Sequence, residues 1–299
     1  MNRVANKASA ETTARVWRAV KELGYRPGSV GRALRQQQSR LVALLAANLA
    51  NPAMAAIAAS TEMALREAGL VMVLCDTHER PDLQDEYLLE MRAQLACAIV
   101  MLGAVASAQL TAEPRTGEAL LFVGRTGPVP SAPFVGIDNV RAGIEVAQFF
   151  QSRGVSAPGL LHASRASSAT DGRVAGFLSV LGEAVVVPGS GSDHLAIGYH
   201  GIADLIGGTG RRGVFCTSDL IAYGAHRRLA EMGVRVPGDV LLVGFDDNPL
   251  NDWLAPWLTS VRVPYDDFGP AVVCALDAVR RGEAVRCILD HRLVIRGEG

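Results

Sequence analysis

The feature that most restricts this chain is an alternation. From residue 41 onward, short apolar runs (Leu41–Ala46, Leu70–Leu74, Ala98–Leu102, Ala119–Val123, Val135–Asp138) are separated by helix-length stretches such as Ala53–Ala68, closed by Gly69, and residues 81–95. A second series follows: helix Arg141–Arg153, strand Gly159–His162, helix Arg173–Leu181, strand Val185–Val187, helix Gly198–Ile206, strand Gly213–Cys216, helix Asp219–Met232 and strand Val240–Val243. Strands that are apolar throughout are buried on both faces, and helices between them imply right-handed crossovers and parallel sheets. The expected fold class is therefore α/β, with two doubly wound parallel-sheet subdomains and a cleft between them.

In such sheets ligands bind outside the carboxyl ends of the strands. The stretch Val240–Pro264 puts the most chemistry at one such end. Leu241-Leu242-Val243 reads as a buried strand, Gly244 as the point where the chain turns, and Phe245-Asp246-Asp247 as the mouth. Two carboxylates at the end of a buried strand are costly unless something pairs with them. Read alone, they serve equally well as caps of the following turn.

Charge separates the amino-terminal arm from the body. Residues 1–40 hold nine Lys/Arg and two acids, about +7, and the remaining 20 basic and 28 acidic residues leave the body near −8. A basic arm on an acidic body is expected where a polyanion is met. Five cysteines without CxxC or Cys/His spacing speak for a reducing cytosol and against a disulfide frame or zinc site. With no apolar leader and no run of membrane-spanning length, the expected location is cytoplasmic, with no membrane partner.

Within the arm, Ser9-Ala10-Glu11-Thr12 caps a short amphipathic helix whose Val16, Val20 and Leu23 share a face before Gly24 ends it. Ser29–Arg35 is a second helical segment, too short to hold itself together in water.

These residues carry a resemblance. Arg3-Val4-Ala5-Asn6, Ser9-Ala10-Glu11-Thr12 with Arg15-Val16, Leu23-Gly24-Tyr25-Arg26-Pro27 and Val30-Gly31-Arg32-Ala33-Leu34-Arg35 resemble, in order, the DNA-binding headpiece of the lactose-repressor/galactose-repressor (LacI/GalR) family. The resemblance implies a recognition helix in the major groove, with Asn2, Arg3 and Asn6 near bases or phosphates, and a hinge helix in the minor groove. There Leu34 is the apolar wedge, flanked by Arg32 and Arg35. The likeness begins inside the helix-turn-helix, so the expectation is a partial headpiece over residues 1–40.

The body continues the likeness through Asn51-Pro52, Val135–Asn139, Arg173–Phe177, Thr217–Ala222, Val236-Pro237, Val243–Asp247 and Leu258–Val261. It implies a periplasmic-binding-protein-like effector body of two subdomains, residues 41–138 plus about 264–288 and residues 139–263 plus about 289–299. By this likeness Arg173 and Asp246 hold an effector from opposite walls, as donor fork and acceptor. Asn51, Met54, Arg125, Ser218 and Asp193 complete the expected effector set. Asp219 reads equally as a helix cap or a ligand contact. Ala53 and Met54 stand where family members often carry aromatics, and Asp193 falls at or near another ring position. Fewer ring faces and an added carboxylate favour a polar ligand with donors or positive charge.

Other chemistry finds little support. The Gly189–Ser192 loop lacks a Walker lysine, and no GxGxxG, HExxH or GxSxG is present. The six histidines read as surface or core residues, and neither metal nor cofactor is expected. The sequence thus points to a non-enzymatic, homodimeric, ligand-responsive repressor of a pseudo-palindromic operator, its effector sugar-like or otherwise polar. The alternative is a cytosolic small-molecule-binding module that has lost DNA binding by truncation. Upstream coding sequence separates the two.

Overall fold

The computed structural model describes residues 9–22, 39–111, 118–163, 167–207 and 210–297. Two six-stranded sheets form the body. The first takes strands β1 (Leu41–Ala46), β2 (Val71–Asp76), β3 (Ala98–Leu102), β4 (Leu120–Val123) and β5 (Phe134–Ile137), and the second takes β6 (Ala157–His162), β7 (Val185–Pro188), β8 (Arg212–Cys216), β9 (Val240–Asp246) and β10 (Thr259–Arg262). Each sheet is completed from the carboxyl terminus. Strand β11 (Arg286–Leu289) runs parallel beside β5, and β12 (Arg292–Val294) pairs antiparallel with β10.

The two orders correspond: β2-β1-β3-β4-β5-β11 and β7-β6-β8-β9-β10-β12. In each, the chain reverses its direction of travel across the sheet beside the first strand, which opens a crevice at the carboxyl ends. The physical reason for a parallel sheet is visible in burial: every residue of β3 and β9 is buried, and five of six in β1.

Among the described residues seven longer helices and two single turns flank the sheets. Beyond the arm helix α1 (Ala10–Glu22), these are α2 (Pro52–Glu67), α3 (Pro81–Ala93), the single turn α4 (Ala108–Thr111), α5 (Asn139–Ser152), α6 (Ser168–Val180), α7 (His194–Gly201), α8 (Asp219–Glu231), the single turn α9 (Asn251–Leu254) and α10 (Tyr265–Arg280). Five of the seven longer ones start at a side-chain cap. Asn51, Asp138, Ser167, Asp193 and Ser218 each accept a backbone N–H from the first turn, a device worth about 1 kcal/mol. Ser9 does the same for α1.

Three helix pairs meet backbone to backbone, one of them α2 and α10, where a Cβ on Gly269 would lie 2.2 Å from the Ser60 carbonyl oxygen. A Cβ on Gly143 of α5 would lie 2.2 Å from the Arg173 carbonyl oxygen of α6, and one on Gly176 would lie 2.0 Å from that of Val140. Gly198 of α7 and Gly224 of α8 repeat the arrangement, at 1.9 Å from Ile221 O and 2.0 Å from Leu195 O.

Several expectations need correction. Helix α7 starts at His194 rather than Gly198 because Asp193 caps it, and residues Ile202–Leu205 tighten into a 3-10 turn. Gly244 does not turn the chain: β9 runs on to Asp246, and Gly244 is required because a Cβ there would sit 2.2 Å from Asp219 Oδ1. The turn falls instead at Asp246 (φ 105°) and Asp247 (φ 49°). Helix α10 and strands β10 to β12 were not resolved as elements in the sequence. Asn2, Arg3, Asn6, Arg32, Leu34 and Arg35, together with the second helical segment, lie outside the described residues.

Candidate functional site

The carboxyl ends of both sheets face one cavity of about 760 Å³, its open mouth included. From the first sheet come Asn51 and Met54 after β1, Gly103 after β3 and Arg125 after β4; from the second come Thr217 and Ser218 after β8 and Asp246 at the end of β9. Ile57, Leu102, Val123, Ile137, Val263 and Phe268 supply apolar walls. Few polar groups among apolar walls are the usual make-up of a small-molecule site.

Arg173 is the most constrained of them. Its Nε donates to Asn139 Oδ1 at 3.0 Å and its Nη1 to the Thr217 carbonyl at 2.6 Å. The guanidinium carbon stands 3.4 Å from the centre of the Phe245 ring, a cation–π contact. That ring ends a ladder of aromatic contacts through Phe215, Phe177 and Phe150, spaced 6.5, 5.3 and 5.6 Å, which ties the site to the core. Only Nη2 remains for a ligand among the described contacts. Loss of hydration pulls this guanidinium down to about 10, against the attraction of Asp246, so it stays charged at neutral pH.

Asp246 is 8% exposed, and among the described residues its carboxylate accepts no hydrogen bond and forms no ion pair within 4.0 Å. Burial raises it to about 6, opposed by the charge of Arg173. Its backbone carbonyl, by contrast, accepts from Tyr265 Oη at 2.7 Å. A non-glycine residue in this left-handed region costs roughly 1–3 kcal/mol and persists where surroundings hold it. Asp219 does much of the holding: its carboxylate accepts from Asn248 N (2.8 Å), Asn251 Nδ2 (2.8 Å) and Ser260 Oγ (2.6 Å). Burial, then the like charge of Asp246, raises Asp219 to about 7. Asp247 is paired instead, with Arg262 Nε (2.5 Å) and Arg296 Nη1 (2.6 Å).

At the mouth, Arg125 is satisfied by Glu79 (2.7 Å) and the Gly103 carbonyl (3.1 Å). Across from it, His194 Nδ1 meets Ser218 Oγ at 2.9 Å. Burial, with Arg125 and Arg173 nearby, lowers this imidazole and keeps it neutral at pH 7, although Glu79 pulls the other way. Thr126 N donates to Ser168 Oγ at 2.9 Å, a hydrogen bond from the β4–β5 loop to α6.

Asn51, Met54, Arg125, Arg173, Ser218 and Asp246 thus share one cavity wall set. Asp193 stands outside it, its carboxylate spent on the Ala196 N–H at 3.0 Å. The adjacent His194 lines the cavity in its place, which corrects the reading of that histidine as surface or core. Asn139 and Tyr265 also line it, and Tyr265 and Phe268 bring rings to the wall.

Comparison with known proteins decides the family. The periplasmic binding protein-like domain model matches residues 147–297, half of the chain. The chain is also 29% identical to the HTH-type transcriptional repressor PurR of Klebsiella pneumoniae (strain 342) and 27% identical to that of Proteus mirabilis (strain HI4320), each alignment covering 99% of this chain and 91% of the relative. The chain belongs to the periplasmic binding protein-like family, in its LacI/GalR branch. Among solved structures it resembles the transcriptional regulator CelR–cellobiose complex, with a TM-score of 0.77 and 25% identity over 98% of this chain and 92% of that one. It shares its fold with the Lac repressor bound to ONPG, with a TM-score of 0.84 and 23% identity over 99% and 94%.

For a LacI/GalR chain the missed residues have simple explanations. Asn139 lay inside a quoted motif, but nothing local shows that its Oδ1 orients Arg173. Tyr265 and His194 come from helix starts far away in sequence.

Proposed function

We propose that this LacI/GalR chain is a ligand-responsive, DNA-binding repressor whose cleft effector alters its affinity for an operator. The observation that carries this reading is the bare, buried Asp246 carboxylate that shares with the Arg173 guanidinium a cleft walled by both sheets. Relatives over almost the whole chain are named repressors, and the CelR structure holds cellobiose. An effector touching both lobes favours one relative setting of them, and it shifts operator affinity only through different affinities for the two settings. The chain crosses between the sheets at residues 137–139, 262–265 and 289–292, so the lobes can rotate about three short connectors without breaking a strand. Such a repressor acts in the cytoplasm, and no helix among the described residues is long and apolar enough to cross a membrane.

The test is selection from a palindromic DNA library with increasing salt. A discrete site whose affinity falls steeply with salt is expected, as counterion release requires; Arg3→Ala and Arg35→Ala should weaken it. Failure to select any site leaves the small-molecule-binding module as the function.

The repressor is expected to be a homodimer. Large apolar side chains stand exposed on both lobes: Met63, Val71 and Leu74 on the first, Leu250, Trp253 (83% exposed) and Leu254 on the second. Met63 also lines a broad groove with Ala56, Pro249 and Arg262. A patch spread over two lobes fits a self-complementary two-fold contact. Trp253→Asp should convert the dimer to a monomer, as read by sedimentation; an unchanged mass would remove α9 from the interface.

A further inference from the structure

The buried charges around the cleft are unevenly shared among the described residues. Three carboxylates are buried, Asp219, Asp246 and Asp247, and Asp252 stands exposed beside them. Two guanidiniums, those of Arg262 and Arg296, engage Asp247, and Arg296 also reaches Asp252. Asp219, 2% exposed, accepts only from the neutral donors Asn248, Asn251 and Ser260, so that it and Asp246 share the one positive charge of Arg173. Of these carboxylates only that of Asp246 belongs to the cavity wall, and no donor among the described residues meets it.

Among the described residues nothing else in the wall supplies a cation. Arg125 is neutralised by Glu79, and His194 is engaged by Ser218 and flanked by Arg125 and Arg173, which oppose its protonation. Tyr265 donates its proton to the Asp246 carbonyl rather than to the carboxylate. A bare carboxylate nine-tenths buried that shares one guanidinium with a second buried carboxylate is unfavourable for the empty protein. It becomes favourable when a ligand brings a second positive charge, and Arg173 Nη2 then takes an acceptor on the same molecule.

We propose that the effector of this cleft is a small organic cation, an amine or amidine with an adjacent acceptor atom, whose positive charge docks on Asp246 while its acceptor meets Arg173. This rests on the cleft being the effector site. The apolar wall of Met54, Ile57, Leu102 and Phe268 takes the carbon frame of such a compound. A proton is the other source of the same charge, and the experiment separates the two.

The measurement is thermal unfolding of the full chain, wild type and Asp246→Asn, near pH 8 and near pH 5, with matched pairs of probes. Glucosamine, benzamidine and butylamine are compared with glucose, benzamide and butanol. The sign without probe follows from linkage. Asp246 is raised to about 6 in the folded state, so the fold binds more protons than the unfolded chain and loses stability as pH rises from the ordinary carboxylate range through about 6. Asp246→Asn should therefore melt several degrees above wild type near pH 8, with the gap closing near pH 5. At least one cationic probe should raise the wild-type midpoint near pH 8, its neutral partner should not, and Asp246→Asn should abolish the shift.

Neutral probes that match their cationic partners, a shift that appears only with proton uptake at low pH, or no shift from any cationic probe would each overturn the inference. So would a variant that melts below wild type near pH 8. A neutral compound whose shift is lost in Arg173→Ala would remove this inference yet leave the repressor reading intact, which the DNA selection judges separately.

Discussion

Arg173→Ala is expected to leave a protein that no longer answers its effector and is markedly less stable. The side chain holds Asn139 Oδ1 and the Thr217 carbonyl, covers Phe245 and is the cation nearest Asp246. Removing one partner of a buried charge cluster costs about 3–5 kcal/mol, because the remaining charge is left uncompensated. The loss should be largest near neutral pH and shrink on acidification, since Asp246 and Asp219, already raised to about 6 and about 7, then take protons. Binding loses a charge-assisted hydrogen bond of about 1.5–3 kcal/mol, roughly tenfold to a hundredfold in effector affinity. Arg173→Lys should recover part of the stability but little of the response, because an ammonium cannot bridge Asn139 and Thr217 while stacking on Phe245. Thermal unfolding across pH, with effector-dependent release of operator, checks both halves. A lysine variant with full response would show that only charge is needed.

The second large effect comes from a single methyl group. Gly176→Ala places a Cβ 2.0 Å from the Val140 carbonyl, and Gly198→Ala one 1.9 Å from that of Ile221. Backbone cannot rotate aside as a side-chain end can, so each helix pair must move apart. Overpacking of this kind costs about 3 kcal/mol. The two sites differ in what they disturb. Gly143→Ala presses directly on the Arg173 carbonyl, so it should weaken effector binding beyond its effect on stability, whereas Gly198→Ala, distant from Arg173, should mainly lower the melting temperature. Equal losses of effector affinity in the two variants would contradict this.

Much of the fold was legible because period and burial agree. β1, β3 and β9 are apolar throughout and sit buried between helix layers, so their sequences announce parallel strands. The last thirty-odd residues were harder: β11 and β12 are short and half exposed, and their sheet membership is decided by partners about 150 and 30 residues earlier. Helix starts shifted wherever an Asp or Ser cap was read as loop or ligand, Asp193 above all. At the site, Arg173 and Asp246 were named by the family likeness, and only Asp246 also by its place at the end of a buried strand. Asn139, His194 and Tyr265 were not, because what makes them cavity residues is their approach across the cleft.

Strand β11 and helix α10 have a consequence for how the protein comes into being. Sheet one cannot acquire its edge strand, nor α2 its neighbour α10, until residues 265–289 have left the ribosome. The earlier half emerges with an open edge at β5 and waits through some 150 residues of synthesis for its closing piece. Such long-range closure is slow and leaves apolar surface exposed meanwhile. A chain cut short ahead of residue 265 should therefore aggregate rather than fold without α10 and β11.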